Sequence, residues 1–300
     1  MISERTKSLL TEKNTSLLKN YFSSLGSQFT GMIPAADVQQ LCNDLNVTVY
    51  ELMIMLIVFP SFYAVVPISN YPVGAFCLGE SGNIYYGANI EFTGQALSFV
   101  VHGEQASIAN AIEHGETKAV ALAVSAAPCG YCRQFLYELN NAKNLEIILD
   151  GKPNQLLTYY LPDAFGPGDL GFTGGLMDLK NNNLTLVNPT TDSVINEALS
   201  QANKSYSIYT SCFSGVAIQV NDGSIYGGSY AENAAYNPSM SPLEAALVTL
   251  IMNGSNFSLI SRIVLVEAEG SKDSQLSATT AVASSVAPNI TLEYYPATVI

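Results

Sequence analysis

At 300 residues the chain is long enough for one large domain or two ordinary ones, with a buried core. Its 25 Asp and Glu against 12 Lys and Arg give a net charge of −13. That charge repels phosphate backbones and anionic membranes, and with no basic patch in the sequence it argues against a nucleic-acid or membrane partner. Only 12% of residues are charged, so Ser, Asn, Thr and Tyr must cover much of the surface, a composition that fits a sizeable buried interface.

The opening M-I-S-E-R-T-K-S-L-L lacks the basic and apolar regions of a signal peptide, and five scattered cysteines fit a reducing, cytoplasmic compartment. Leu9, Leu10, Leu17, Leu18, Tyr21 and Phe22 recur at helical spacing, with Gly26, Gly31 and Pro34 as punctuation. Residues 1–47 therefore read as a small helical region. The apolar run Leu52 to Phe59 is broken at Pro60 and is too short to cross a bilayer, so it reads as a buried helix continuing to Val66. Next come Y-P-V-G-A-F-C-L, the turn E-S-G-N and I-Y-Y-G-A-N-I-E, a hairpin. Ala96 to His114 reads as a helix stopped by Gly115. A-V-A-L-A-V-S from Ala119 reads as a buried strand, and C-G-Y-C-R-Q-F-L-Y-E-L as a helix opened after Pro128. Strand, strand, helix, strand, helix predicts a three-layer α/β unit over residues 48–150.

Residues 151–190 read as an irregular connector, after which the chain repeats itself. Shifted by 141 positions, N-D-G-S-I-Y-G-G-S-Y-A-E lies on E-S-G-N-I-Y-Y-G-A-N-I-E. The helix from Pro242 lies on that from His102 with a one-residue gap, and I-V-L-V-E-A from Ile263 on A-L-A-V-S-A. In this alignment Pro242 stands at His102, and Gly270 and Asp273 stand near the cysteine pair. Residues 191–300 thus read as a degenerate, non-catalytic copy.

The chemistry gathers around Cys129 and Cys132. A lone C-x-x-C fits a disulfide, a redox site or a metal. Here one of only two histidines, His102, falls in V-H-G-E-Q at the preceding helix. One His and two Cys supply three ligands to Zn²⁺ and leave a fourth position for water. Helix N-termini favour both thiolates, and Glu104 is placed to move the proton of an activated water. H-x-E with P-C-x-x-C is the pattern of zinc deaminases. His114, near a helix C-terminus, reads as a surface residue.

The stretches S-N-Y-P-V-G-A, G-A-N-I-E-F, H-G-E-Q and A-P-C-G-Y-C-R-Q-F resemble cytidine deaminase, and L-P-D-A-F-G-P-G-D-L and Y-A-E-N-A-A-Y-N-P-S extend the likeness to its two-domain homodimeric form. That resemblance implies a duplicated αβα sandwich with a mixed sheet, and hydrolytic deamination of cytidine and 2′-deoxycytidine in pyrimidine salvage. It implies one zinc per chain, bound by His102, Cys129 and Cys132, with Glu104 as proton shuttle. Asn89 and Glu91 would hold the ribose hydroxyl, and Tyr71, where the family usually has Phe, would pack on the pyrimidine. The Gly103 N–H and the Ala127 carbonyl would meet the base. Ala235, Tyr236 and Phe165 would reach into the partner subunit's site.

Overall fold

A computed structural model describes residues 3–25, 29–57 and 60–299. Gly26, Val58 and Phe59, used in the sequence reading, lie outside them. The N-terminal helices are α1 (Glu4–Leu9), α2 (Glu12–Leu25) and α3 (Ala35–Leu45), with a short strand β1 (Met32–Ile33) among them. Helix α4 spans Val49–Leu56 and starts at a capping box in which Thr48 and Glu51 satisfy each other's backbone N–H. It buries Leu52, Met53, Met55 and Leu56. It does not run to Val66. Pro60 opens a 3₁₀ turn over Pro60–Tyr63, because proline cannot continue the α-helical hydrogen bonding, and Val65 then bridges Ile90.

Strands β2 (Gly74–Gly79) and β3 (Ile84–Ala88) form the expected hairpin, followed by α5 (Gly103–Glu113), β4 (Ala119–Val124), α6 (Gly130–Leu136) and β5 (Glu146–Ile148). Helix α5 is shorter than its apolar spacing predicts. Leu97–Phe99 form a 3₁₀ turn and Val101 pairs with Ile90, so His102 is left at the N-cap. The connector holds four short elements: β6 (Gln155–Leu156), α7 (Leu157–Tyr160), a 3₁₀ turn over Pro167–Leu170 and β7 (Leu184–Leu186). Helix α8 (Ser193–Lys204), β8 (Ser214–Val220), β9 (Ile225–Ser229), α9 (Pro242–Met252), β10 (Ile260–Ala268), α10 (Leu276–Val286) and β11 (Leu292–Val299) complete the chain.

Two sheets result, ordered β1-β3-β2-β4-β5-β6 and β7-β11-β10-β8-β9. Both are mixed in the same way. The hairpin β2/β3 extends antiparallel to β4, which pairs parallel with β5; β8/β9 extends antiparallel to β10, which pairs parallel with β11. A shift of 141 carries Ile84–Ala88 onto Ile225–Ser229. Strand register corrects the sequence alignment by one residue, since Ile263 faces Ile218 as Leu122 faces Cys77. The helices differ too. Ser241, not Pro242, is the N-cap of α9, so it stands where His102 stands before α5.

Each sheet is covered on both faces. Alternate residues of the second sheet divide between two cores, Ala217, Val264 and Val266 toward α8, and Val216, Ile218 and Leu265 toward α9. In the first sheet Tyr86 meets Phe76, Phe22 and Phe29 edge-on, so the N-terminal helices cover that face. Its neighbour Gly87 faces α5 and has no room for a side chain. A Cβ there would lie 2.2 Å from the Ser107 nitrogen and 2.3 Å from the Gly103 carbonyl.

Helices α5 and α9 pack together between the sheets. Each half also grips a loop of the other. Glu138, fully buried after α6, accepts from the hydroxyls of Tyr206 (2.7 Å) and Tyr209 (2.6 Å) and the Ala234 N–H (2.8 Å). In return Ser285 near the end of α10 donates to the Thr93 carbonyl, and Gln95 donates to Ser284.

Glu244, in the first turn of α9, closes a capping box with Ser241 and is buried. Burial pushes its carboxyl up to about 7, against the lesser pull of the Ser241 hydrogen bonds. A raised folded-state value means that the folded protein holds the proton longer, so this stability is present at low pH and is lost as pH rises from the usual carboxylate range to about 7. Gln105 fills the same place on α5 as an amide. Glu244→Gln should therefore keep the cap and exceed the native stability by about 1–3 kcal/mol at pH 8, with a much smaller gap at pH 5. Thermal melts at the two pH values check this.

Candidate metal centre

The two helix N-termini that carry the motifs lie on one face of the first sheet. His102 precedes α5, and its N–H donates to the Gln105 side-chain oxygen (3.2 Å). Cys129 is the N-cap of α6, and its sulfur accepts from the Cys132 N–H (3.5 Å). Arg133 holds the entering loop, donating to the Pro128 carbonyl (2.7 Å) and the Tyr160 carbonyl (2.8 Å). His102 Nδ1 then stands 3.7 Å from Cys129 Sγ, and Cys129 Sγ stands 3.6 Å from Cys132 Sγ. Both thiols are free.

This donor set fits a metal. Zinc–sulfur bonds of about 2.3 Å and zinc–nitrogen bonds of about 2.0–2.1 Å put tetrahedral ligands roughly 3.5–3.8 Å apart, and both distances from Cys129 Sγ fall in that range. Among the described residues this is the one cluster of three metal-ligating side chains within 4.8 Å of one another. Burial is graded across it, Cys132 inside and Cys129 exposed, so a metal here has one open side. The contact with the Cys132 thiol, and then that with His102, pulls Cys129 down to about 3, while the Cys129 contact and burial push Cys132 up. One thiolate is therefore ready at neutral pH. Glu104, one residue into α5, is only 4% exposed. Burial lifts its carboxyl above the ordinary range, against the pull of the Cys132 thiol it meets.

Asn89 and Glu91 follow β3 and fasten the segment 68–73. The Asn89 oxygen accepts from the Val73 N–H (2.9 Å), and its amide donates to the Tyr71 carbonyl (3.0 Å). Glu91 accepts from the N–H groups of Ile68 (2.8 Å) and Ser69 (3.0 Å) and from the Ser69 hydroxyl (2.5 Å). Burial opposes ionisation of Glu91, but the Ser69 and Ile68 bonds outweigh it and hold the carboxyl below its ordinary value. One amide hydrogen of Asn89 and one acceptor position of Glu91 remain for a further partner. Gly103 stands at the first helical position, where an N–H has no intrahelical partner. Tyr71 is 63% exposed, and Ala127 is exposed beside Cys129.

Phe165 and Asn233 meet Gln134 of α6 in the same chain, and Ala235 and Tyr236 follow in the Asn233 loop, their N–H groups donating to the Asn233 side-chain and backbone oxygens. The Gln134 amide donates to the Phe165 carbonyl (2.7 Å), and Asn233 donates to the Gln134 carbonyl (3.0 Å). Tyr236 holds a positive φ of 61° and is 66% exposed, at the mouth of a cavity of about 760 Å³ that Glu232, Lys272 and Asp273 also line. His114 is half-buried, not a surface residue. Its Nδ1 meets the Asn110 carbonyl at 2.9 Å, and its ring lies 5.7 Å from Tyr85.

The internal repeat separates fold from chemistry. Glu232 accepts from Tyr209, Thr210 and the Thr210 hydroxyl just as Glu91 does from Ile68 and Ser69, so this carboxylate staple belongs to the fold of both copies. In the second copy Ser241, Leu243, Gly270 and Asp273 replace His102, Glu104, Cys129 and Cys132, and Tyr230 replaces Asn89. Sequence reasoning missed Ser69, Gln105, Tyr131 and Gly87. Ser69 lies inside the quoted S-N-Y, but its role appears only when the turn closes.

A mixed αβα sandwich that presents one imidazole and two thiols at paired helix N-termini, with a buried carboxylate beside them, defines a metal-binding α/β protein. The description "Cytidine and deoxycytidylate deaminase zinc-binding region" fits the chain twice, over residues 53–147 and 157–280. A cytidine deaminase of Histophilus somni (strain 2336) is 44% identical over 268 residues, 89% of this chain and 88% of that protein. One from Yersinia pestis (strain Pestoides F) is 44% identical over 84% of this chain and 85% of its own. The crystal structure of cytidine deaminase from Mycobacterium tuberculosis is 31% identical over 37% of this chain and 91% of its own, with a TM-score of 0.33. The chain belongs to the cytidine deaminase family, whose cofactor is zinc.

Proposed function

We propose that this protein deaminates cytidine and 2′-deoxycytidine hydrolytically, giving the uridine nucleoside and ammonia, the salvage reaction of pyrimidine metabolism. The observation that carries this reading is the His102–Cys129–Cys132 cluster with Glu104 buried against it. The three would hold one zinc per chain. When bound, zinc lowers the pKa of a coordinated water and makes it a nucleophile at neutral pH. Glu104, raised by burial, would accept one proton of that water and deliver it to N3 of the pyrimidine, then take the second from the new C4 hydroxyl and give it to the departing amine as the C4–N bond breaks. The Gly103 N–H would meet the base carbonyl and the Ala127 carbonyl the exocyclic amine. The spare N–H of Asn89 and the spare acceptor of Glu91 match a ribose hydroxyl, which both donates and accepts.

Residues 48–150 would form the catalytic unit, covered by residues 1–47 and joined through 151–190 to the non-catalytic copy 191–300. The exposure of Tyr71 and Tyr236 suits a homodimer in which Ala235, Tyr236 and Phe165 of one subunit close the site of the other. No helix among the described residues is long and apolar enough to cross a membrane, and we read the enzyme as cytoplasmic. A net charge of −13 disfavours polynucleotide substrates. The test is absorbance loss on incubation with cytidine and with deoxycytidine. Turnover abolished by a chelator and restored by zinc is expected. Inertness toward both nucleosides, with activity on single-stranded polynucleotides, would overturn the reading.

A further inference from the structure

A zinc-bound imidazole must be held in one plane, and a carbonyl or carboxylate that accepts from its other ring nitrogen ordinarily does this. His102 precedes α5 as an N-cap with Nδ1 turned to Cys129, and among the described residues no such group takes a hydrogen bond from its Nε2. What lies against the imidazole is an aromatic ring. Tyr131, between the two cysteines, packs with its ring centroid 5.4 Å from that of His102 and the planes 31° apart. Its hydroxyl is met by the side chain of Gln105, which also accepts the His102 backbone N–H. Imidazole, tyrosine and glutamine therefore form a closed ring of contacts around the first turn of α5.

The second copy supports a role tied to the metal. It keeps the helix cap, with Glu244 in the place of Gln105, and the carboxylate staple at Glu232. Where His102 is lost to Ser241, Tyr131 is lost with it, to Lys272. Tyr131 goes with the ligands and not with the fold.

We propose that Tyr131 is a positioning residue for the metal: its ring, laid against the His102 imidazole, fixes the plane in which Nδ1 meets the two sulfurs. This rests on the reading of His102 as a zinc ligand. The experiment is competition for zinc between the protein and a chromogenic chelator, with thermal melts of the metal-free forms alongside. Tyr131→Leu should raise the zinc Kd about tenfold or more, and Tyr131→Phe should stay within about twofold of native. Tyr131→Met, of similar length, answers the same question if the leucine variant does not fold. The metal-free melting temperatures of the variants should match the native value, which a purely structural role would not produce. Native affinity in the leucine or methionine variant would overturn the proposal. So would a phenylalanine variant as weak as the leucine one, which would assign the effect to the hydroxyl. Failure of the native protein to take up zinc would instead defeat the underlying reading of His102.

Discussion

Glu104→Gln should leave the zinc in place and lower kcat by a factor of about 10² to 10⁴, the range that a positioned acid–base group supplies. The substitution is isosteric, and the site is 4% exposed, so no cavity opens and no charge is stranded. The three metal ligands are untouched, and His102 keeps its cap from Gln105. What disappears is a carboxyl that can hold a proton between water and substrate, because an amide cannot take one up near neutral pH. KM should therefore change much less than kcat. Zinc content by metal analysis and steady-state rates on one preparation check both parts. A variant that keeps zinc and turns over within tenfold of native would remove Glu104 from the mechanism.

Gly87→Ala and Gly228→Ala should destabilise the protein alike, by about 2–4 kcal/mol each, yet only the first should damage catalysis. Each glycine lets a helix N-terminus lie directly on a strand. A Cβ at Gly87 would stand 2.2 Å from the Ser107 nitrogen, and one at Gly228 would stand 2.1 Å from the Ala246 nitrogen. These obstacles are backbone, so the helix itself must move. The helix displaced at Gly87 carries Glu104 and follows His102, and a shift near 1 Å can lower the rate about a hundredfold. The helix displaced at Gly228 begins at Ser241 and Pro242 and carries no ligand. Chemical denaturation measures the first effect; kcat per folded molecule, with bound zinc, measures the second. Equal losses of kcat in both variants would mean that the second half takes part in the chemistry.

What could be read from sequence follows from how local each determinant is. The hairpin, the buried β4 strand and the cap at Cys129 depend on residues a few positions apart, and the structure has them where the spacing puts them. The α5 boundary was misread because Leu97 and Phe99 sit at helical spacing. Long-range pairing of Val101 with Ile90 takes that segment out of the helix and makes His102 a cap. The two-residue offset between α5 and α9, against the 141-residue strand shift, escaped for the same reason. His102, Cys129 and Cys132 stood out because His and Cys are rare here, and Glu104 because its spacing from His102 is chemical. Tyr131 and Gly87 did not: an aromatic between cysteines and a glycine in a strand acquire meaning only when a helix from elsewhere arrives against them. Glu138 likewise gave no local sign, since all three of its donors come from residues 206–234.

The central claim is that all the metal chemistry resides in the first of two copies of one fold. Metal analysis of the purified native protein beside His102→Ala tests it most directly. About one zinc per chain in the native protein and almost none in the variant is the expected result. Two zincs per chain, or a variant that keeps its zinc, would contradict it.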